Sequence, residues 1–217
     1  LKNNIIYYIY NMLNNFQIIE LSKKMNIPLE GVFFKDEIDM ADLKIGKSYV
    51  INLEDEYDED GKTRNGGSHW TCFHIGKHNG EICVIYFDSY GVSPPENLKK
   101  IIKAKYGKKI NYLTKNVQSL MSDACGWYCL AYLHFINAFY NRTGDVYSDS
   151  AIFLDLFEDL DLSVDWKRNE HMLKLFFVEK TDKKNGLDKM FDTSKADDIN
   201  KTSEKINIEP ENIKMRK

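Results

Sequence analysis

Cysteine is scarce in this chain of 217 residues: Cys72, Cys83, Cys125 and Cys129 are the only four. None forms a Cys-x-x-Cys pair and none stands at zinc-finger spacing from a histidine, which argues against a disulfide framework or a structural metal site and suits a reducing compartment. No run of about 18 apolar residues is present to span a bilayer. The N-terminal "IIYYIY" is too short, and too close to Asn-rich sequence, for a signal peptide. An excess of one charge is lacking too: 30 Lys and Arg against 33 Asp and Glu leave a net charge of -3, which announces neither nucleic acid nor an acidic membrane. These absences describe a soluble, intracellular chain with no membrane partner, and Leu1 in place of Met points to a start further upstream.

What is present is globular: 43% of the residues are hydrophobic and 13% aromatic. The segment "NNIIYYIYNMLNNFQIIELSKKM" carries Ile5, Ile9, Leu13, Phe16 and Leu21 at helical spacing and reads as a leading helix. A short helix-like "DEIDMADLK" follows, and then three β-rich runs, "SYVINL", "WTCFHI" and "ICVIYF". Turn-like separators between these runs give an antiparallel meander. "SPPENLKKIIKAKYG" is a helix opened by prolines and closed by glycine. A short strand at "INYL", an apolar helix from Cys125 and two helical stretches near 151–157 and 166–179 complete residues 1–180. From 181 to 217 Lys, Asp, Asn, Ser and Glu dominate, and such a tail buries too little apolar surface to offset chain entropy.

The chemistry concentrates in "QSLMSDACGWYCLAYLHF". Ser122 or Asp123 suits an N-cap, which places Cys125 in the first turn, where free backbone N–H groups and the helix dipole stabilise negative charge on sulfur. Gly126 costs a helix roughly 1 kcal/mol; room for a substrate backbone beside the sulfur would be the compensation. The plainer alternative is a buried cysteine acting as a small hydrophobe, and Cys129, one turn deeper, reads that way, as do Cys72 and Cys83. A nucleophilic cysteine needs a base and the base an orienting group. Among five histidines, His69 in "GGSHW" stands where a glycine loop meets a strand, and Asp88 in "YFDSYG" ends the following strand, so two neighbouring strands bring them together. Asp88 also has a plain reading, as a turn former.

"GGSHW", "YFDSYGVSPP" and "QSLMSDACGWYC" together resemble the three blocks of the adenovirus-type maturation cysteine proteases (adenain-like), relatives of the Ulp and sentrin proteases. They are most similar to the branch found in virophages and in Maverick or Polinton elements. The resemblance covers roughly 31–141 and implies an α+β fold, a small mainly antiparallel sheet packed against the helix that carries the nucleophile. It implies that Cys125 attacks the scissile carbonyl, His69 is its base, Asp88 orients the imidazole, and Gln118 with the Cys125 N–H forms the oxyanion hole, a donor worth about 3 kcal/mol. Trp70 and Gly126 would line the substrate cleft, with a purely structural role for Trp70 as the equal alternative. No metal or other cofactor is required. The expected substrates are capsid precursors cut at Gly-Gly-type sites, in the virion or in a host cytoplasm or viral factory. A Ulp-like isopeptidase and a non-catalytic capsid or DNA-binding module are the alternatives.

Two departures qualify the resemblance. Adenoviral enzymes carry Glu where this chain carries Asp88, and they tether an activating peptide to a cysteine between acid and nucleophile. No cysteine lies between Cys83 and Cys125, so a peptide activator would bind noncovalently. DNA is the other activator that the resemblance implies, and Lys99, Lys100, Lys103, Lys105, Lys108 and Lys109 are its candidate contacts, with a solvated helix face as the plain reading.

Overall fold

The computed structural model describes residues 12–63, 65, 67–143, 145–160 and 166–182. Helix α1 (Asn15–Lys24) leads into strand β1 (Leu29–Phe34), a 3-10 turn (Ile38–Met40) and strand β2 (Lys47–Asn52). Strands β3 (Trp70–His78) and β4 (Glu81–Phe87), helix α2 (Glu96–Tyr106), strand β5 (Ile110–Tyr112), and helices α3 (Cys125–Thr143), α4 (Val146–Leu154) and α5 (Trp166–Asp182) follow. The architecture is mixed α+β around one five-stranded sheet in the order β1-β2-β3-β4-β5.

The expected meander forms its centre: β2 pairs antiparallel with β3, and β3 with β4. The sheet as a whole is mixed, because β1 runs parallel to β2 and β5 parallel to β4. Parallel neighbours need a long crossover, and the chain supplies α2 between β4 and β5 and the 3-10 turn with its flanking loops between β1 and β2. Strand β1 escapes a pattern search because Glu30 and Gly31 interrupt its apolar run, which an edge strand tolerates.

Residues 70–76 of β3 are buried on both faces of the sheet. Trp70 and Cys72 belong to the core beneath α3, with Val50, Ile85 and Phe87, whereas Phe73 and Ile75 join Tyr49, Val84 and Tyr86 against Leu98 and Ile102 of α2. Helix α3 is therefore sandwiched: β3 lies under it, and α4 and α5 cover its far side through Phe153, Leu173 and Phe177. That explains a helix apolar all round. Phe153 is the hub of this layer, with ring centroids of Phe157, Tyr132, Phe135 and Phe87 at 5.1, 5.3, 5.5 and 5.7 Å. Among the described residues no helix is long and apolar enough to cross a membrane, and all four cysteines are free and buried.

Among the described residues the helix expected to run on through Leu13 is interrupted at 12–14. Asn14 and Gln17 form a reciprocal capping box that fixes its start at Asn15. Leu13 lies ahead of the helix and is buried, while Phe16 faces solvent at 68% exposure. Ile5, Ile9 and the stretch 183–217 lie outside the described residues.

Phe153→Ala should lower unfolding free energy by about 3–5 kcal/mol in urea titrations, and Phe16→Ala by less than about 0.5 kcal/mol. Similar losses at both positions would contradict this division between core and surface.

Candidate active site

The β3–β4 register, with Cys72 opposite Phe87, sets the start of β3 beside the end of β4. His69 directly precedes β3 and Asp88 directly follows β4, and His69 Nε2 lies 3.0 Å from Asp88 Oδ1. Asp88 is 1% exposed, and the same oxygen accepts the Tyr90 backbone N–H at 2.7 Å. The Asp88 carbonyl accepts the Gly91 N–H at 2.9 Å. This turn requires glycine: Gly91 has φ +71°, and a Cβ there would stand 2.4 Å from the Thr114 carbonyl oxygen.

The loop ahead of His69 is clamped by Asn52, whose Oδ1 accepts the Ser68 N–H at 3.3 Å, while Leu53 N–H donates to the His69 carbonyl at 2.9 Å. Gly67, at φ +87°, lets the loop pass against the Asn52 carboxamide, which a Cβ would strike. Cys125 is the first residue of α3, 2% exposed, and the Trp70 N–H donates to its Sγ at 3.4 Å. The helix begins after Ala124, whose N–H is held by Ser122 Oγ at 3.3 Å, so the expected cap at Ser122 or Asp123 becomes a supporting contact.

Cys125 is the second group that favours a charged His69, and its Sγ is bonded to the N–H of Trp70, the residue that follows the histidine. Burial works against the imidazolium, but hydrogen bonds and charge from Asp88 and Cys125 outweigh it and raise the His69 pKa from 6.5 to about 9. The remaining histidines are elsewhere. His74 is buried against Ser48 Oγ, and burial lowers its pKa to about 4; His78 pairs with Asp145; His134 contacts the Met25 carbonyl; His171 is exposed.

Gln118 is 1% exposed on the loop before α3. Its Oε1 accepts the Ser89 hydroxyl at 2.6 Å, and its Nε2 donates to the Ser122 carbonyl at 2.6 Å and to Tyr90 Oη at 3.2 Å. Tyr90 also stacks on His69, with centroids 4.7 Å apart and planes inclined at 27°. Sequence reasoning passed over Ser89 and Tyr90 because Ser-Tyr-Gly after an aspartate reads as turn chemistry.

Trp70 and Gly126 are packed against the chain's own residues. Trp70 is 1% exposed and donates its indole N–H to the Leu13 carbonyl. A Cβ on Gly126 would meet Leu13 Cβ at 3.1 Å and Trp70 Cδ1 at 3.4 Å. The room that Gly126 leaves is thus filled by the chain's own Leu13, a residue too distant in sequence for local reasoning to bring in. Among the described residues no cluster of three His, Cys, Asp or Glu is placed to hold a metal ion.

Asp88→Asn should lower the His69 pKa from about 9 toward or below 6.5, because burial then meets one opponent fewer. In the wild type the raised pKa contributes stability that is complete below pH 6.5 and fades as pH rises through about 9. Imidazole NMR titration of both proteins tests this, and an unmoved midpoint would show that Asp88 does not hold the ring's charge.

No protein-family model matches the sequence, and no curated protein matches it. Among solved structures, the chain is similar to an AvrA variant with IP6 and CoA at 14% identity and a TM-score of 0.35, over 83% of this chain and 70% of that one. It is similar to a de-sumoylating protease at 14% identity and a TM-score of 0.33, over 88% of each chain. Both TM-scores are too low to bear on fold or activity, and the site is read from its own geometry.

Proposed function

We propose that the protein is an adenain-like, Ulp-related cysteine endopeptidase that cleaves capsid precursors after glycine during maturation of a DNA virus or virus-like element. The observation that supports this reading is the 3.0 Å hydrogen bond between His69 Nε2 and Asp88 Oδ1, one residue from the Trp70 N–H that donates to Cys125 Sγ. The capsid substrate, and with it a virion or viral-factory setting, rests on the resemblance of those blocks to the viral branch.

The mechanism follows from the contacts. Cys125 Sγ adds to the scissile carbonyl carbon, and the carbonyl π pair moves onto oxygen. The His69 imidazolium, kept charged by Asp88, then gives its proton to the departing amine as the C–N bond breaks. Neutral His69 next takes a proton from water, whose oxygen displaces the thiolate from the acyl carbon. Negative charge on the carbonyl oxygen would be met by the Cys125 N–H, unsatisfied at the helix start, and by the Gln118 side of the site.

A Ulp-like isopeptidase is the second reading. Leu120 and Met121, at 86% and 88% exposure between Gln118 and Cys125, form an apolar tip beside the nucleophile suited to gripping a folded modifier. Activation by DNA is retained only through the rest of the lysine face: Lys99, Lys105 and Lys108 pair with Glu96, Asp42 and Glu81, which leaves exposed Lys100, Lys103 and Lys109 to meet phosphate.

Iodoacetamide at mildly acidic pH should alkylate Cys125 faster than Cys83, although Cys83 is the more exposed at 7% against 2%. Burial raises the Cys83 thiol pKa, whereas Cys125 has an imidazolium beside it. Equal labelling would sink the ion pair. Substrate class is decided by offering aliphatic-x-Gly-Gly peptides and capsid precursors alongside intact ubiquitin-like conjugates, with DNA added. Cleavage of conjugates with negligible peptide or precursor cleavage would overturn the maturation reading in favour of the isopeptidase.

A further inference from the structure

The Gln118 carboxamide is fully engaged. Its oxygen holds Ser89, and its two N–H bonds are directed at the Ser122 carbonyl and at Tyr90 Oη. An oxyanion donor must have a hydrogen to give, and besides the Cys125 backbone N–H the side-chain hydrogen nearest to being free belongs to Tyr90. Its hydroxyl accepts from Gln118 Nε2, and a phenol that accepts one bond still has its own O–H to donate.

Every other contact of Tyr90 is with the same site. Its backbone N–H holds Asp88 Oδ1 and its ring lies on the His69 imidazole. The residue is half-buried, so it is not sealed from an incoming group. Burial, followed by the charges of Cys125 and Asp88, raises its pKa and keeps the hydroxyl protonated.

We propose that the Tyr90 hydroxyl is a catalytic oxyanion donor: it gives its hydrogen bond to the carbonyl oxygen as Cys125 attacks, and Gln118 stands behind it, polarising the hydroxyl by donating to Tyr90 Oη. No proton changes owner at Tyr90 in this step. The C–S bond forms, the carbonyl π pair becomes the oxyanion lone pair, and the O–H···O bond shortens as charge develops. Donors aligned in series strengthen one another, so the pair acts as one polarised donor. The proposal rests on the peptidase reading of the site.

Tyr90→Phe keeps the ring and its stacking on His69 and deletes only the hydroxyl. With an aliphatic-x-Gly-Gly amide substrate, kcat should fall about a hundredfold with little change in KM. A peptide aldehyde ending in glycinal, whose carbonyl oxygen occupies the oxyanion position once Sγ adds, should bind about tenfold more weakly. Alkylation of Cys125 by iodoacetamide, which forms no oxyanion, should keep its rate and pH profile, a split that a merely structural role would not produce. Should Tyr90→Phe be poorly folded, 3-fluorotyrosine at position 90 makes the hydroxyl a stronger donor at nearly constant shape and should tighten the aldehyde. Unchanged kcat and aldehyde affinity in Tyr90→Phe, or unchanged affinity with 3-fluorotyrosine, would overturn the proposal and leave the peptidase standing if Cys125→Ser is inactive. Failure of the wild type to cleave the peptide or bind the aldehyde would overturn the peptidase reading and this proposal with it.

Discussion

The hydrogen bond between His69 and Asp88 is the contact on which the site depends, and it is unusual in where its cost is met. A carboxylate 1% exposed is expensive to ionise unless charge or donors face it. Here one oxygen receives both the imidazole and the Tyr90 N–H. The imidazole is held in turn between that carboxylate and the Tyr90 ring, and the next residue's N–H holds the Cys125 sulfur. Each group is tolerable in its buried position because the next one is there.

The sheet makes such a position available. Strand β3 is covered on both faces, so its ends cannot swing, and the side chains at its N-terminal end inherit the rigidity of two cores. Helix α3 is locked over it by Cys129, whose Sγ donates to the Trp70 carbonyl at 3.3 Å, and by Cys72, whose Sγ lies 3.9 Å from the Cys129 carbonyl. The residue bonded by its carbonyl to Cys129 is bonded by its N–H to Cys125. Trp70 thereby holds the first two turns of the helix at a fixed height above the strand, and its indole closes the remaining side on Leu13.

Much of this was legible in the sequence, and for physical reasons. His69, Asp88 and Cys125 could be singled out because each stands at the end of an element, where a short polar or reactive side chain has no packing role to explain it. The central strands showed through as β-rich runs, and α2 through its prolines and Gly107. What stayed hidden was pairing across long distances. The parallel edges β1 and β5 carry no local signature of direction, and the contact of Gly126 with Leu13 joins residues from distant parts of the chain. Phe16 fitted the apolar spacing and still points outward, since the capping box at Asn14 starts the helix in a different phase. Tyr90 and Ser89 were invisible for a different reason: their side chains bond Gln118 while their backbones do what a turn does.

Asn79 and Gly80, both at positive φ, close the β3–β4 hairpin with two residues, and His78 stands directly opposite Glu81. Such a turn admits little variation in length. One added residue would tend to slip the pairing by about 3.3 Å and turn alternate side chains to the other face of the sheet. The histidine and its acid lie at the opposite end of the same two strands, so evolution is free to change what most of the hairpin's surface displays but not how many residues lie between them. A tip remote from Cys125 thus behaves, under insertion or deletion, as though it were part of the candidate site.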